Sequence, residues 1–225
     1  MLILIFLFLL VIIVFVPQFW AKRILTKYSH NRDDFPGTGG EFAQHLLARL
    51  EMHDVTVEVS ETGDHYDPIV KVVRLIRPNL EGKSLTAVAT AAHEIGHAIQ
   101  DRTNYKPFQA RTKLVIVAQV AEKVGAGLMM MIPIVAIFTR VPALGILMFI
   151  GGLMSLGTSV LVHLITLPVE WDASFKRALP ILAKYISRRD QIAARRILTA
   201  CALTYVASSL SSLLNLWRWL AVLRR

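Results

Sequence analysis

Apolar and polar stretches alternate along the chain on the scale of a membrane rather than of a single helix or strand. The first apolar run, Leu2 to Trp20, is roughly long enough to cross a bilayer core of about 30 Å. Two more, Leu114 to Phe138 and Val141 to Leu167, are separated by little more than Thr139-Arg140 and predict a transmembrane hairpin. A weaker run from Ile197 to Leu220 either spans the membrane or lies along it, with Trp217 and Trp219 where an interfacial belt would sit. The first run lacks a positive residue after Met1 and a small-residue cleavage site, and Lys22 and Arg23 follow it directly. It therefore reads as an uncleaved anchor, not a signal peptide.

Between the runs the pattern changes period. The turn at Pro36 to Gly40 leads into a helical pattern at Glu41 to Glu51. Val55 to Val59 and Val70 to Ile76 are β-branched and partly alternating, with Gly63 and Pro68 between them, which predicts a hairpin or small sheet. Ser84 can cap a helix through Leu85 to Gln100, whose Ala, Val, Thr and Ile interior marks it as largely buried. The expected organisation is an anchor at 1–20, a cytoplasmic part with the small sheet at 21–113, a transmembrane hairpin at 114–168, a charged cytoplasmic helix at 169–196 and a C-terminal apolar helix at 197–225.

Composition agrees with a mainly α integral membrane protein: 54% of residues are hydrophobic. The formal net charge of +9 raises nucleic acid as a partner. The Lys and Arg residues instead crowd into 21–113 and 169–196, beside the apolar runs and without aromatic interleaving. Anionic lipid headgroups explain that distribution better, and the positive-inside bias makes both segments cytoplasmic in a multi-pass inner or plasma membrane protein. The lone cysteine, Cys201, excludes a disulfide framework and a cysteine metal cluster. Any metal must be held by His, Asp or Glu.

Such a set stands at Ala91-Ala-His93-Glu94-Ile-Gly96-His97-Ala98, an H-E-x-x-H pattern on a segment already assigned as helix. Positions four apart lie about 40° apart on one face, so both imidazoles can converge on one tetrahedral Zn²⁺. Glu94, one step along, is placed to act as base toward metal-activated water. Burying two His and a Glu among Ala and Ile without a shared cation would cost several kcal/mol. Gly96 suits close approach of a neighbouring element.

A catalytic zinc needs a third protein ligand, and none follows His97 closely. The acidic pair in Pro168-Val-Glu170-Trp-Asp172-Ala-Ser174 supplies the candidates: Glu170 as ligand, and Asp172 as a residue orienting a histidine. His163, deeper in the third run, is the runner-up ligand.

These residues, together with Asp64-His65-Tyr66-Asp67-Pro68 and the strand through Arg74, resemble the YugP-like membrane-bound neutral zinc metallopeptidases, distantly similar to HtpX-type and CaaX-processing membrane proteases. The likeness covers nearly the whole chain. It implies a zincin-like (gluzincin) domain joined to three or four transmembrane helices, with His93, His97 and Glu170 on zinc and Glu94 as base. By the same analogy the strand at Val70 to Ile76 would pair its edge with an extended protein or peptide substrate. His65 or Tyr66 would be candidates for oxyanion stabilisation. The broader relatives carry an acid where Ser174 stands, which leaves the support of the histidines open. The expected activity is zinc-dependent endopeptidase action on membrane or membrane-proximal proteins. The alternative is a catalytically idle scaffold or chaperone-like adaptor that keeps the fold.

Overall fold

Helix caps set the frame. The Thr38 hydroxyl accepts from the Glu41 amide, and the Glu41 carboxylate accepts from the Thr38 amide, a reciprocal box that starts α1, Gly39–Arg49. Ser84 accepts from the Ala87 amide at 3.1 Å and starts α2, Leu85–Arg102. Residues 2–139, 143–144, 146–148, 150–151 and 166–204 are described by the computed structural model of this chain. His163, most of the run from Val141 to Leu167, and the last run beyond residue 204 with Trp217 and Trp219 lie outside the described residues.

An apolar N-terminal helix, Leu2–Lys27, precedes α1. Its end is tied to the start of α2, where Thr86 donates from its hydroxyl to the Leu25 carbonyl (2.8 Å) and from its amide to Tyr28. Three strands follow α1: β1 (Thr56–Ser60), β2 (His65–Asp67) and β3 (Val72–Ile76). Their order is β1-β3-β2, with β1 parallel to β3 and β2 antiparallel to it. The expected small sheet is present, but the two β-branched segments do not form a hairpin with each other. The intervening His65-Tyr66-Asp67 turns back first and takes the other edge of β3. With both edges of β3 occupied, an extended substrate cannot add to it, which corrects that expectation; β2 is the strand with an outer edge on the other side.

In β3, Val72, Val73 and Leu75 are buried, while Arg74 spans the exposed face to Asp67 (2.9 Å) and Glu58. A short helix, α3 (Arg77–Leu80), with Pro78 in its first turn, leads to the Ser84 cap. In α2 every residue from Leu85 to Ala98 is buried, and Gln100 with them, because small side chains let neighbours close in from all sides. One neighbour is α1, whose face of Ala43, Leu46 and Leu47 joins the core. Another is the helical stretch described from residue 166 onward.

Within that stretch Asp172–Ala178 is π-helical, and α5 (Leu179–Leu182) continues it. The wider turn brings three consecutive residues, Asp172, Ala173 and Ser174, onto the buried side against α2. Gly96 makes the contact possible. A Cβ there would lie 2.7 Å from the Ala173 carbonyl oxygen. A final described helix over residues 188–204 buries Ile197, Leu198 and Ala202. It is tethered to the N-terminal linker by Arg32, whose guanidinium meets Asp190 at 2.7 Å.

Between these, α4 runs from Lys106 to Thr139, 34 residues. Its stretch Lys106–Ile132 is long and apolar enough to cross a membrane, among the described residues. Ile116, Val117, Val120 and Met130 on it are more than half exposed, a surface that water would disfavour and lipid would not.

Candidate metal centre

The arrangement that brings the chemistry together is the packing of α2 against the stretch from residue 166. His93 and His97 stand one turn apart on α2 with ring centroids 4.8 Å apart and planes 79° apart. Across from them, Glu170 is fully buried, and its Oε2 lies 3.2 Å from Nε2 of each histidine. These three side chains form the candidate metal-holding group, with ligand atoms all within 4.8 Å of one another. The sequence-derived trio thus meets at one point, although 73 residues separate His97 from Glu170.

The hydrogen bonds behind the imidazoles decide which nitrogen faces inward. Ser174 donates to the Leu198 carbonyl at 3.1 Å, so its hydroxyl oxygen is left to accept from His93 Nδ1 at 3.0 Å. Gln100 donates from its amide to the Val169 carbonyl (2.8 Å) and to Asp172 Oδ1 (2.9 Å), which turns its oxygen toward His97 Nδ1, 2.9 Å away. With both Nδ1 hydrogens committed, Nε2 is the nitrogen that each ring presents to Glu170, where it can bind a metal or, without one, share a proton with the carboxylate. Two ring nitrogens and a carboxylate oxygen thus share one dry point, a place that a cation fills, a proton or a metal ion. The donor set, two imidazoles and a carboxylate, fits zinc.

Asp172 touches neither histidine and reaches His97 only by way of Gln100. Ser174 performs for His93 the service that an acid would perform in the broader pattern. Arg177 pairs with Asp172 at 2.7 Å, not with Glu170. Burial works against the Asp172 charge, but Arg177 and Gln100 outweigh it and hold the carboxyl below its usual range. Gln100 and Ser174 had no signature that a search for ligand types could find.

Glu94 lies beside the trio, and burial pushes its carboxyl up to about 7. His93 and Arg111 oppose that rise, while Asp64 and Glu170 add to it. Burial works the same way on Glu170. There His97, His93 and Arg111 prevail and hold the carboxyl well below the usual carboxylate range.

A cavity of about 360 Å³ opens onto these groups, walled by Gly63 to Tyr66, Arg111, Leu25 and Cys201. Cys201, placed by the sequence in an apolar stretch without a role, thus borders the site, with Thr90 3.9 Å from its sulfur. Tyr66 donates its hydroxyl to Asp101 at 2.8 Å, and the His65 ring meets the Gly63 carbonyl at 2.9 Å. Asp64 accepts from the Ile76 amide (2.8 Å) and Asn79 (2.7 Å), so it pins the β2–β3–α3 corner against the site.

His93 and His97 from a buried H-E-x-x-H helix, Glu170 from the segment packed on it and Glu94 beside them make up the donor set of a metallopeptidase-type centre. A family model described as "Putative neutral zinc metallopeptidase" matches residues 3–224, and the chain belongs to that family, whose cofactor is Zn²⁺. It is similar to the "Putative membrane protease YugP" of Bacillus subtilis (strain 168), 35% identical over 212 residues that cover 92% of this chain and 90% of that protein. No solved structure matches the chain.

Proposed function

We propose that the chain is a membrane-embedded zinc endopeptidase that hydrolyses peptide bonds of membrane or membrane-proximal proteins. His93, His97 and Glu170 hold the metal and Glu94 is the catalytic base. The observation that carries this reading is the meeting of both Nε2 atoms with one Glu170 oxygen at 3.2 Å, with both histidines and Glu94 lining one cavity.

Zinc, when bound, supplies a Lewis acid that brings the pKa of water toward neutrality and polarises the scissile carbonyl. Ser174 and the Asp172–Gln100 pair keep the imidazoles in one tautomer and one orientation. Glu94 takes a proton from the attacking water and returns it to the leaving amine. Burial among apolar neighbours, which raises this carboxyl in the metal-free protein, favours its holding a proton between the two transfers. An extended substrate would lie along the outer edge of β2, whose residues His65 and Tyr66 wall the cavity.

The multi-pass, cytoplasm-facing arrangement belongs to the same reading. Leu25, Arg111 and Thr204 all line the cavity, and each stands close to the polar end of an apolar run. The catalytic chamber would then sit at the membrane surface, where the 21–113 and 169–196 segments meet.

The test is zinc content and proteolysis of the detergent-solubilised full chain. Glu94→Gln should keep about one zinc per chain and lose hydrolysis by about 10²–10⁴-fold. His97→Ala and Glu170→Ala should lose the metal. Hydrolysis surviving in Glu94→Gln would remove the mechanism, and a wild type without zinc would return the chain to the idle-scaffold reading.

A further inference from the structure

Glu170 has two oxygens and the histidines engage one. Among the described residues Oε1 is fully buried and accepts no hydrogen bond; the group nearest it with opposite charge is the Arg111 guanidinium, Nη1 at 3.3 Å. Arg111 is itself buried, on the second turn of α4, and lines the cavity with His93, Glu94 and His97. Three residues before it, on the same face of the helix, Phe108 stacks its ring against that of His97, 5.9 Å between centroids and 29° between planes. One face of α4 thus reaches two of the three proposed ligands, from the element that is apolar enough to enter a membrane.

We infer that Arg111 is a positioning residue of the metal site: it holds Oε1 of Glu170 so that the carboxylate offers only Oε2 to the metal. This rests on the proposed function. A carboxylate free to turn can offer a metal both oxygens, and a catalytic zinc needs a coordination position left for water and substrate. A guanidinium suits the task better than an ammonium. It stays charged when buried and is weakly hydrated, so its charge can stand beside Oε1 without bringing water into the site.

The experiment uses the full chain in detergent, stripped of zinc and loaded with Co²⁺ as a spectroscopic probe, for wild type, Arg111→Gln and Arg111→Lys. Wild type should give the intense visible absorption of a four-coordinate ion. Arg111→Gln should give the weaker bands of a higher coordination number, with kcat for a peptide substrate falling about 10–100-fold and KM changing little. Arg111→Lys, which keeps the charge on a shorter, more strongly hydrated group, should recover part of kcat while its spectrum stays shifted. A wild-type spectrum and wild-type kcat in Arg111→Gln would overturn the inference and leave the proposed function standing. Failure of the wild type to bind Co²⁺ would overturn both. Should Arg111→Gln not fold, the Arg111→Lys spectrum decides by the same criterion.

Discussion

Gly96→Ala adds one methyl group at the place where α2 and the π-helical segment touch. That Cβ would meet the Ala173 carbonyl oxygen at 2.7 Å and its carbonyl carbon at 3.2 Å, both backbone atoms with no rotamer to escape into. Reaching ordinary contact of 3.4 Å requires the two elements to part by roughly 0.7 Å. Two effects on stability oppose each other. Alanine in a helix interior is worth up to about 1 kcal/mol over glycine, and overpacking costs about 1–3 kcal/mol, so the net loss is small. The effect on the site is not small. Glu170 precedes Ala173 by three residues on the same helix, and a binding constellation tolerates displacements of only about 0.5 Å. We expect the thermal midpoint to fall by no more than a few degrees while zinc affinity, measured by competition with a chromophoric chelator, drops at least tenfold. Gly127→Ala is the control, because a Cβ there meets nothing within 4 Å. Wild-type zinc affinity in Gly96→Ala would refute the argument that this contact sets the ligand geometry.

Ser174→Ala removes the acceptor of the His93 Nδ1 hydrogen and should cost about 10–100-fold in zinc affinity, read by the same competition; an unchanged affinity would mean that another group orients His93. Tyr66→Phe should lose only the Asp101 hydrogen bond, about 1 kcal/mol of stability in a denaturation curve, with kcat nearly intact. A fall of 10²-fold or more in kcat would instead give the hydroxyl an oxyanion role. In zinc-stripped protein, Glu94 keeps its proton to about 7 when folded but releases it near 4.5 when unfolded, so its contribution is complete below 4.5 and lost by roughly 3 kcal/mol above 7. Zinc-stripped Glu94→Gln should therefore match wild type at pH 4 and exceed its thermal midpoint at pH 8; coincident midpoints at both pH values would show that Glu94 is not buried as described.

What the sequence made legible was what short-range physics decides. The Ser84 cap, the small-residue interior of α2 and the four-residue spacing of His93 and His97 are local facts, so they could be read before any neighbour was known. Gly96 was readable as a close approach because glycine inside such a helix has a cost that only packing offsets. Glu170 could be reached because a catalytic metal demands a third ligand and few downstream residues qualify. The sheet was only half legible. β2 is three residues of His-Tyr-Asp with no β-branched side chain, and its antiparallel pairing to β3 displaces the hairpin that the flanking valines suggested.

The residues that escaped notice are those whose role exists only in contact. Gln100 looks like any helical glutamine until Val169 and Asp172 fix its amide and turn its oxygen onto His97. Arg111 reads in sequence as one more cation at a membrane edge, where positive charge is ordinary. Its distinction is a carboxylate oxygen 59 positions away that accepts no hydrogen bond among the described residues. The π-helical turn belongs with them: local propensity does not favour it, and the gain is burial of Asp172, Ala173 and Ser174 together against α2. The inner faces of the histidines are thus set by spacing along one helix, whereas their tautomers and the orientation of Glu170 are set by elements distant in sequence. A helix that kept H-E-x-x-H but lost those partners would keep the motif without its geometry.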